Sequence, residues 1–304
     1  MIKTDFLNQI LLGDCVELME NMPENSLSGC VTDPPYNYEF FGRNWDHAEI
    51  ERRTQKALNH QKILVKNIPY GSGLAGGVKN ARWYQRNREN ILEYQAWVER
   101  WGRALIGVLK PGAFVMVFNS NKSVAHVQVG LENAGFFTKD MFIWLRNGGI
   151  PKGLNASAKM QKDQDSTAQD WQGWHSATRN NYEAISVLQK PIEKNYIHNI
   201  KKYGVGLLKT QGYNNQKGFM SNVLEGYSRD KKESFNKHIA IKPVKLIKRL
   251  IEMIVPCPSE HAIIDPFMGS GTTALACLEL NIPFIGCELN QEYIEITKHR
   301  LSQK

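Results

Sequence analysis

A chain of 304 residues, 42% hydrophobic and 22% charged, can bury a full core, and that composition reads as soluble and globular rather than disordered. No apolar run approaches the length of a membrane span, and the first residues lack the apolar stretch of a signal peptide. The five cysteines are odd in number and form no CxxC pair, which points to reduced thiols in a cytoplasmic protein and away from a zinc site. The net charge of +8 is unevenly spread: residues 43–90 and 150–240 each carry a surplus of +6, leaving the rest at −4. Two basic segments outside an apolar core suit a polyanion-binding face, and equally describe solvated Lys-rich loops.

In chain order, an apolar run "NQILL" ends at Gly13-Asp14, and "VELMENMP" follows with helical spacing. "LSGCV" is the next strand, and it runs into "TDPPYN". The long helical stretch "ILEYQAWVERWGRALIGVL" stops at Lys110-Pro111-Gly112. "AFVMVFNS" reads as a buried strand, "SVAHVQVGLENAG" as a helix capped at Gly135, and "TKDMFIWLR" and "YEAISVLQKP" as further strands. "KPVKLIKRLIEMIVP" is an amphipathic helix opened by Pro243, where a missing N–H costs nothing. Strand, helix, strand and helix then close the chain in "HAIIDP", "GTTALACLELN", "PFIGCELN" and "EYIEITKHRLSQK". Strands alternating with helices imply an α/β fold with a doubly wound, mostly parallel sheet, whose ligands bind beyond the carboxyl ends of the strands.

The carboxylates and glycines cluster at those ends. In "DPFMGSGTT" the chain leaves a strand at Asp265, turns through Gly269 and Gly271, and enters a helix at Thr272. Small residues there let a ligand approach the backbone, although a GxG turn alone is weak evidence. A phosphate loop of the Walker type is excluded, because no Lys follows Gly271. The next strand ends at Glu288, a carboxylate placed to bridge two ribose hydroxyls. Together the two features point to an adenosine-containing cofactor.

Beside such a cofactor, "DPPY" has a chemical use. A stiff Pro34-Pro35 turn fixes the Pro34 carbonyl, and Asp33 offers a second acceptor. Two acceptors aimed at one point suit an exocyclic amino group, whose lone pair is conjugated into its ring until the nitrogen becomes pyramidal. Acceptors that bind the developing positive charge more strongly than the ground state lower the barrier to methylation. Tyr36 gives a base a flat face to stack on, worth roughly 1–3 kcal/mol.

"TDPPYN" early and "DPFMGSGTT" late resemble the S-adenosylmethionine-dependent DNA amino-methyltransferases, in the order of their beta group. "LLGDCVELMENMPENSLSGC" and "GCELNQEYIEI" agree with that resemblance. It implies a circularly permuted Rossmann-like methyltransferase core with DNA-recognition insertions. By the same resemblance, Asp33, Pro34, Pro35 and Tyr36 form the catalytic loop, with Asp33 also near the cofactor. Asp265, Phe267, Gly269, Ser270, Gly271 and Thr272 line the methionine side, Glu288 holds the ribose, and Asp14 lies near the adenine. Before Pro243 the family often carries His-Pro-Thr-Gln-Lys-Pro, whereas this chain reads "HIAIKP"; Lys242 and Pro243 keep the cofactor-side pattern, and Ile239, Ala240 and Ile241 do not.

The resemblance further implies double-stranded DNA as partner, a homodimer by analogy, and a target base flipped out of the duplex at a cost of a few kcal/mol. Arg43, just after the catalytic loop, and Lys152, Lys201 and Lys202 are the expected DNA contacts. The expected organisation is a catalytic half over 1–191 with a basic loop at about 39–90, a target-recognition region over 192–237, and a cofactor half over 238–304. In the family, Asp at the head of the loop goes mostly with adenine N6 and Ser with cytosine N4. Adenine is therefore the expected base, cytosine N4 the alternative, and an inactive DNA-binding module the alternative of another class.

Overall fold

The computed structural model describes residues 6–36, 81–146, 148, 153–211, 218–228, 230, 233, 235–236, 241–256 and 261–303. They divide between two compact units, one over 1–36, 95–147 and 182–304, the other over 37–94 and 148–181. The described residues of the expected recognition region, 192–237, group with the core unit. Described parts of the second unit include α4 (Ala156–Lys162) and a short 3-10 turn at Ala168–Trp171.

The core unit is built on eight described strands: β1 (Gln9–Leu12), β2 (Leu27–Thr32), β3 (Leu109–Asn119), β4 (Phe137–Leu145), β5 (Tyr182–Gln189), β6 (Val223–Leu224), β7 (Ile263–Asp265) and β8 (Phe284–Glu288). Their order is β1-β8-β7-β2-β3-β5-β4-β6. Every neighbouring pair is parallel except the two that involve β5, which runs antiparallel to both β3 and β4. The expected mostly parallel sheet is therefore present, with one reversed strand inserted in it. The last strand β8 pairs with the first, β1, the neighbourhood that a permuted core requires.

The helices are α1 (Cys15–Glu20), α2 (Ala81–Val108), α3 (Val124–Asn133), α5 (Tyr196–Tyr203), α6 (Val244–Ile254), α7 (Thr272–Glu279) and α8 (Gln291–Ser302). In α6 the spacing "VKLIKRLIEMI" places Leu246, Ile247, Leu250, Ile251 and Ile254 in the core. They pack with Phe114, Met116 and Phe118 from one face of β3. The alternate residues Val115 and Val117 point to the other face and are fully buried too, so the strand is covered on both sides. Gly29 in β2 allows the close approach of α6, since a Cβ there would sit 2.7 Å from Ile254 Cδ1.

Two boundaries differ from expectation. The long helix α2 ends at Val108, just ahead of Lys110-Pro111-Gly112 as expected, but strand β3 begins at once, at Leu109, and continues through Pro111-Gly112. The β2–β3 register slips just there, and the Gly112 N–H bonds to the Lys190 carbonyl, so the Pro sits in a bulge that needs no donor. Pro243 caps α6 from outside, and the first helical residue is Val244, whose N–H donates to Asp230 Oδ2 at 2.8 Å.

Candidate active site

The chain reverses direction across the sheet between β2 and β7. From β2 it proceeds to β3 on one side, and from β7 to β8 on the other. Such a switch point leaves a crevice beyond the strand tips. A hollow of about 50 Å³ lies there, widening to about 430 Å³ when its open mouth is counted. Its lining includes Asp33, Lys242, Asp265, Phe267, Ser270 and Thr272. Gly269 lines it as well. Asp33 of the expected catalytic loop thus shares one cavity with the expected cofactor loop, and Pro34, Pro35 and Tyr36 do not line it.

Asp265, at the tip of β7, is buried, and its Oδ1 accepts from Thr32 Oγ1 at 2.6 Å and from the Phe267 N–H at 3.0 Å. Burial pushes its carboxyl up to about 6, with a smaller push from the neighbouring Asp33 charge, against hydrogen bonds from Thr273, Thr32 and Phe267. The Phe267 ring packs 5.4 Å from Trp97 and 5.5 Å from Trp101, which fixes the outer wall of the loop.

Both glycines of the loop have positive φ, 55° at Gly269 and 80° at Gly271. A Cβ on Gly271 would fall 2.7 Å from Thr297 Oγ1 and 2.8 Å from its Cβ, so α8 presses directly on the turn. Arg300 braces it too, donating to the Ser270 carbonyl at 2.7 Å and to Thr272 Oγ1 at 3.2 Å. Glu288 takes the Gly269 N–H on Oε2 at 2.8 Å and the Asn290 N–H on Oε1 at 2.9 Å. Burial raises its carboxyl above the ordinary range. A further backbone hydrogen bond comes from Leu289, and an ionised carboxylate has about four acceptor positions, so capacity remains for a ribose hydroxyl. Asp14 caps α1 by accepting from the Val16 N–H, and the preceding Gly13 N–H bonds to the Glu288 carbonyl. Asp14 and Glu288 therefore stand on adjacent strand tips.

Asp33 follows the last residue of β2. Its Oδ2 accepts from Lys242 Nζ, and its Oδ1 is buried without a hydrogen-bond partner among the described residues. A buried acceptor left unmet costs about 1–3 kcal/mol, and such an atom in a cavity is where a ligand donor belongs. Lys242 is only 7% exposed; its ammonium lies 5.1 Å from the Phe118 ring centre and 5.5 Å from that of Tyr36. Expected on the cofactor side, Lys242 is paired in this structure with the catalytic-loop carboxylate. Pro34 is buried; Pro35 and Tyr36 are half-buried. Pro243 serves α6, its carbonyl accepting from the Leu246 and Ile247 N–H groups.

The expected DNA contacts fare differently. Arg43 and Lys152 lie outside the described residues. Lys201 is exposed on the last turn of α5. Lys202 is paired with Glu193 at 2.8 Å, and that carboxyl is held down to about 2 by hydrogen bonds from Lys202, Tyr203 and His198. Two charged neighbours of the hollow escaped the sequence: Glu183, whose Oε2 is 3.4 Å from Lys242 Nζ, and Arg146, whose Nη1 donates to Glu183 Oε1 at 2.8 Å.

The family model for the N6/N4 DNA methylases matches residues 27–299. The chain belongs to this family. As a DNA methylase it is 32% identical over 303 residues to the type II methyltransferase M.HindIII of Haemophilus influenzae, covering 95% of this chain and 93% of that one. It is 23% identical to the type II methyltransferase M.HinfI of Haemophilus influenzae, over 98% of this chain and 69% of its relative. Among solved structures, the M1.HpyAVI complex with S-adenosylmethionine superposes with a TM-score of 0.53 at 21% identity, covering 96% of this chain and 98% of that one. The cytosine-N4-specific PvuII DNA methyltransferase gives 0.58 at 16% identity, over 96% and 85%. These two likenesses show that the methylase shares their fold.

Proposed function

We propose that this DNA methylase transfers a methyl group from S-adenosylmethionine to the N6 amine of an adenine flipped out of double-stranded DNA. The observation that carries the proposal is the spare Asp33 Oδ1, a buried acceptor at the tip of β2 in a hollow shared with the glycine loop. When bound, the cofactor supplies an electrophilic methyl group on a sulfonium. What supports its fit here is the set of polar groups: Glu288 with acceptor capacity to spare, the backbone of a turn at Gly269 and Gly271, and the adjacent Asp14.

The chain's own part is to hold the amine. Asp33 Oδ1 accepts one amine hydrogen and the Pro34 carbonyl the other, which favours a pyramidal nitrogen with its lone pair free. Tyr36 supplies the ring that orients the base. No proton-abstracting side chain is required, since the proton leaves to water once the nitrogen has become cationic. Asp at the head of the loop favours adenine, and the resemblance to M.HindIII spans nearly the whole chain. A cytosine N4 amine offers the same two hydrogens, and the fold is shared with the cytosine-N4-specific PvuII DNA methyltransferase.

The test is to incubate the protein with methyl-labelled S-adenosylmethionine and unmodified genomic DNA, digest to nucleosides, and separate them. Label is expected in N6-methyladenine. Label in N4-methylcytosine would move the assignment to cytosine, and no label in DNA would refute it.

A further inference from the structure

The charges behind Asp33 extend well past Lys242. Arg146, Glu183, Lys242 and Asp33 alternate in sign along one path, joined by the Arg146–Glu183 hydrogen bond at 2.8 Å, the Glu183–Lys242 ion pair at 3.4 Å and the Lys242–Asp33 hydrogen bond. The side chain of Glu183 is 11% exposed and that of Lys242 is 7% exposed, so neither is a solvated surface charge.

Topology explains how Glu183 comes to be there. In a parallel strand the second residue would lie at the amino edge of the sheet, away from the site. Strand β5 runs antiparallel, and its register pairs Trp144 with Glu183 and Asn119 with Ala184. The start of β5 therefore meets the carboxyl ends of β3 and β4, on the edge where β2 delivers Asp33. Arg146 follows the end of β4 directly.

A lysine needs such an anchor. Its ammonium rides on a flexible four-carbon stem, and Lys242 lines the same hollow as a second carboxylate, Asp265. An ammonium held by Asp33 alone could swing across to Asp265 and fill the space meant for ligand. We infer that Glu183 is a positioning residue for methyl transfer. Held by Arg146, it keeps Lys242 against Asp33 Oδ2, so that Oδ1 alone remains to receive the amine. The Phe118 and Tyr36 rings complete the ammonium's surroundings. The inference rests on the proposal that Asp33 accepts the amine hydrogens.

The test uses the full chain, methyl-labelled S-adenosylmethionine and unmodified genomic DNA under single-turnover conditions, which read the chemical step. Glu183→Gln keeps the shape and removes the charge. Its transfer rate is expected to fall roughly 10- to 100-fold, as for a small misplacement at a reacting centre, with cofactor and DNA affinities changed less than about twofold. In a Lys242→Met background, the same substitution should slow transfer no further, because its partner is gone. A purely structural role would instead lower affinity and rate together, or give losses that multiply in the double variant; either result overturns the inference, as does a Glu183→Gln rate within about twofold of the parent. If Glu183→Gln fails to fold, Arg146→Gln decides: a smaller fall in rate at unchanged cofactor affinity supports the inference, and an unchanged rate overturns it. Asp33→Ala separates the two levels. If it is inactive while Glu183→Gln is normal, only the positioning role fails; if Asp33→Ala is active, the underlying proposal fails.

Discussion

Asp265→Asn should make the protein more stable at neutral pH and leave it little changed in mild acid. The parent carboxyl titrates at about 6 in the fold against 3.8 as its ordinary value, chiefly because it is buried. The folded state therefore holds this proton more tightly than the unfolded chain. Stability from this group is fully present below pH 3.8 and is lost as pH rises through about 6. At about 1.4 kcal/mol per pH unit across that window, the loss amounts to about 3 kcal/mol at pH 7 and above. Asparagine does not titrate, and its Oδ1 can still accept from Thr32 and the Phe267 N–H, while Thr273 can receive the new amide hydrogen. Urea unfolding of parent and variant at intervals from pH 4.5 to 8 measures the difference between them. That difference should climb up to about pH 6 and then stay flat. A gap that does not change with pH, or a variant less stable than the parent at pH 8, would refute the reasoning. A charge that destabilises the fold is retained where it serves a site, so the same variant should transfer methyl groups more slowly.

Three other outcomes follow from the geometry. Gly271→Ala combines a left-handed backbone with an overlap against Thr297, and should lower stability by about 2–5 kcal/mol; adding Thr297→Ala should recover the overlap part only, as read by thermal unfolding. Glu288→Ala removes the acceptor of the Gly269 and Asn290 N–H groups together with the expected ribose contact. Calorimetry should find S-adenosylmethionine bound roughly 10- to 100-fold more weakly, and unchanged affinity would contradict the assignment. Leu250→Ala, in the middle of the buried face of α6, should cost about 2–5 kcal/mol in urea unfolding with little change in the transfer rate of the protein that remains folded.

The parts of this molecule that can be read without coordinates are those whose signal is local. Short apolar runs ending in a carboxylate gave β2, β7 and β8, and the periodicity of "VKLIKRLIEMI" gave α6. The meeting of Asp33 with Asp265 follows from placing both at strand tips of one sheet. Strand direction leaves no such trace. "YEAISVLQKP" reads as a strand in either sense, and only its antiparallel pairing with β3 and β4 brings Glu183 to the working edge. Arg146 was hidden for the same reason. Lys242 resembles a helix-start lysine in sequence, because its burial is created by Phe118 and Tyr36 from distant segments. Helix α5 lies in a polar stretch where the apolar spacing is sparse, and is closed by Gly204 at φ 72°. The grouping of the described residues of 192–237 with the core rests on tertiary contacts that composition does not encode.

The most direct test of the central claim is the single-turnover transfer rate of Asp33→Asn, with DNA and cofactor binding measured in parallel. Asparagine keeps the size of the side chain but weakens the charged acceptor and breaks its ion pair with Lys242. A fall on the order of 10²-fold or more at near-normal binding is the predicted result, comparable to removing one stabilising group from a transition state. A rate close to the parent's would mean that this oxygen does not carry the amine, and the account would not stand.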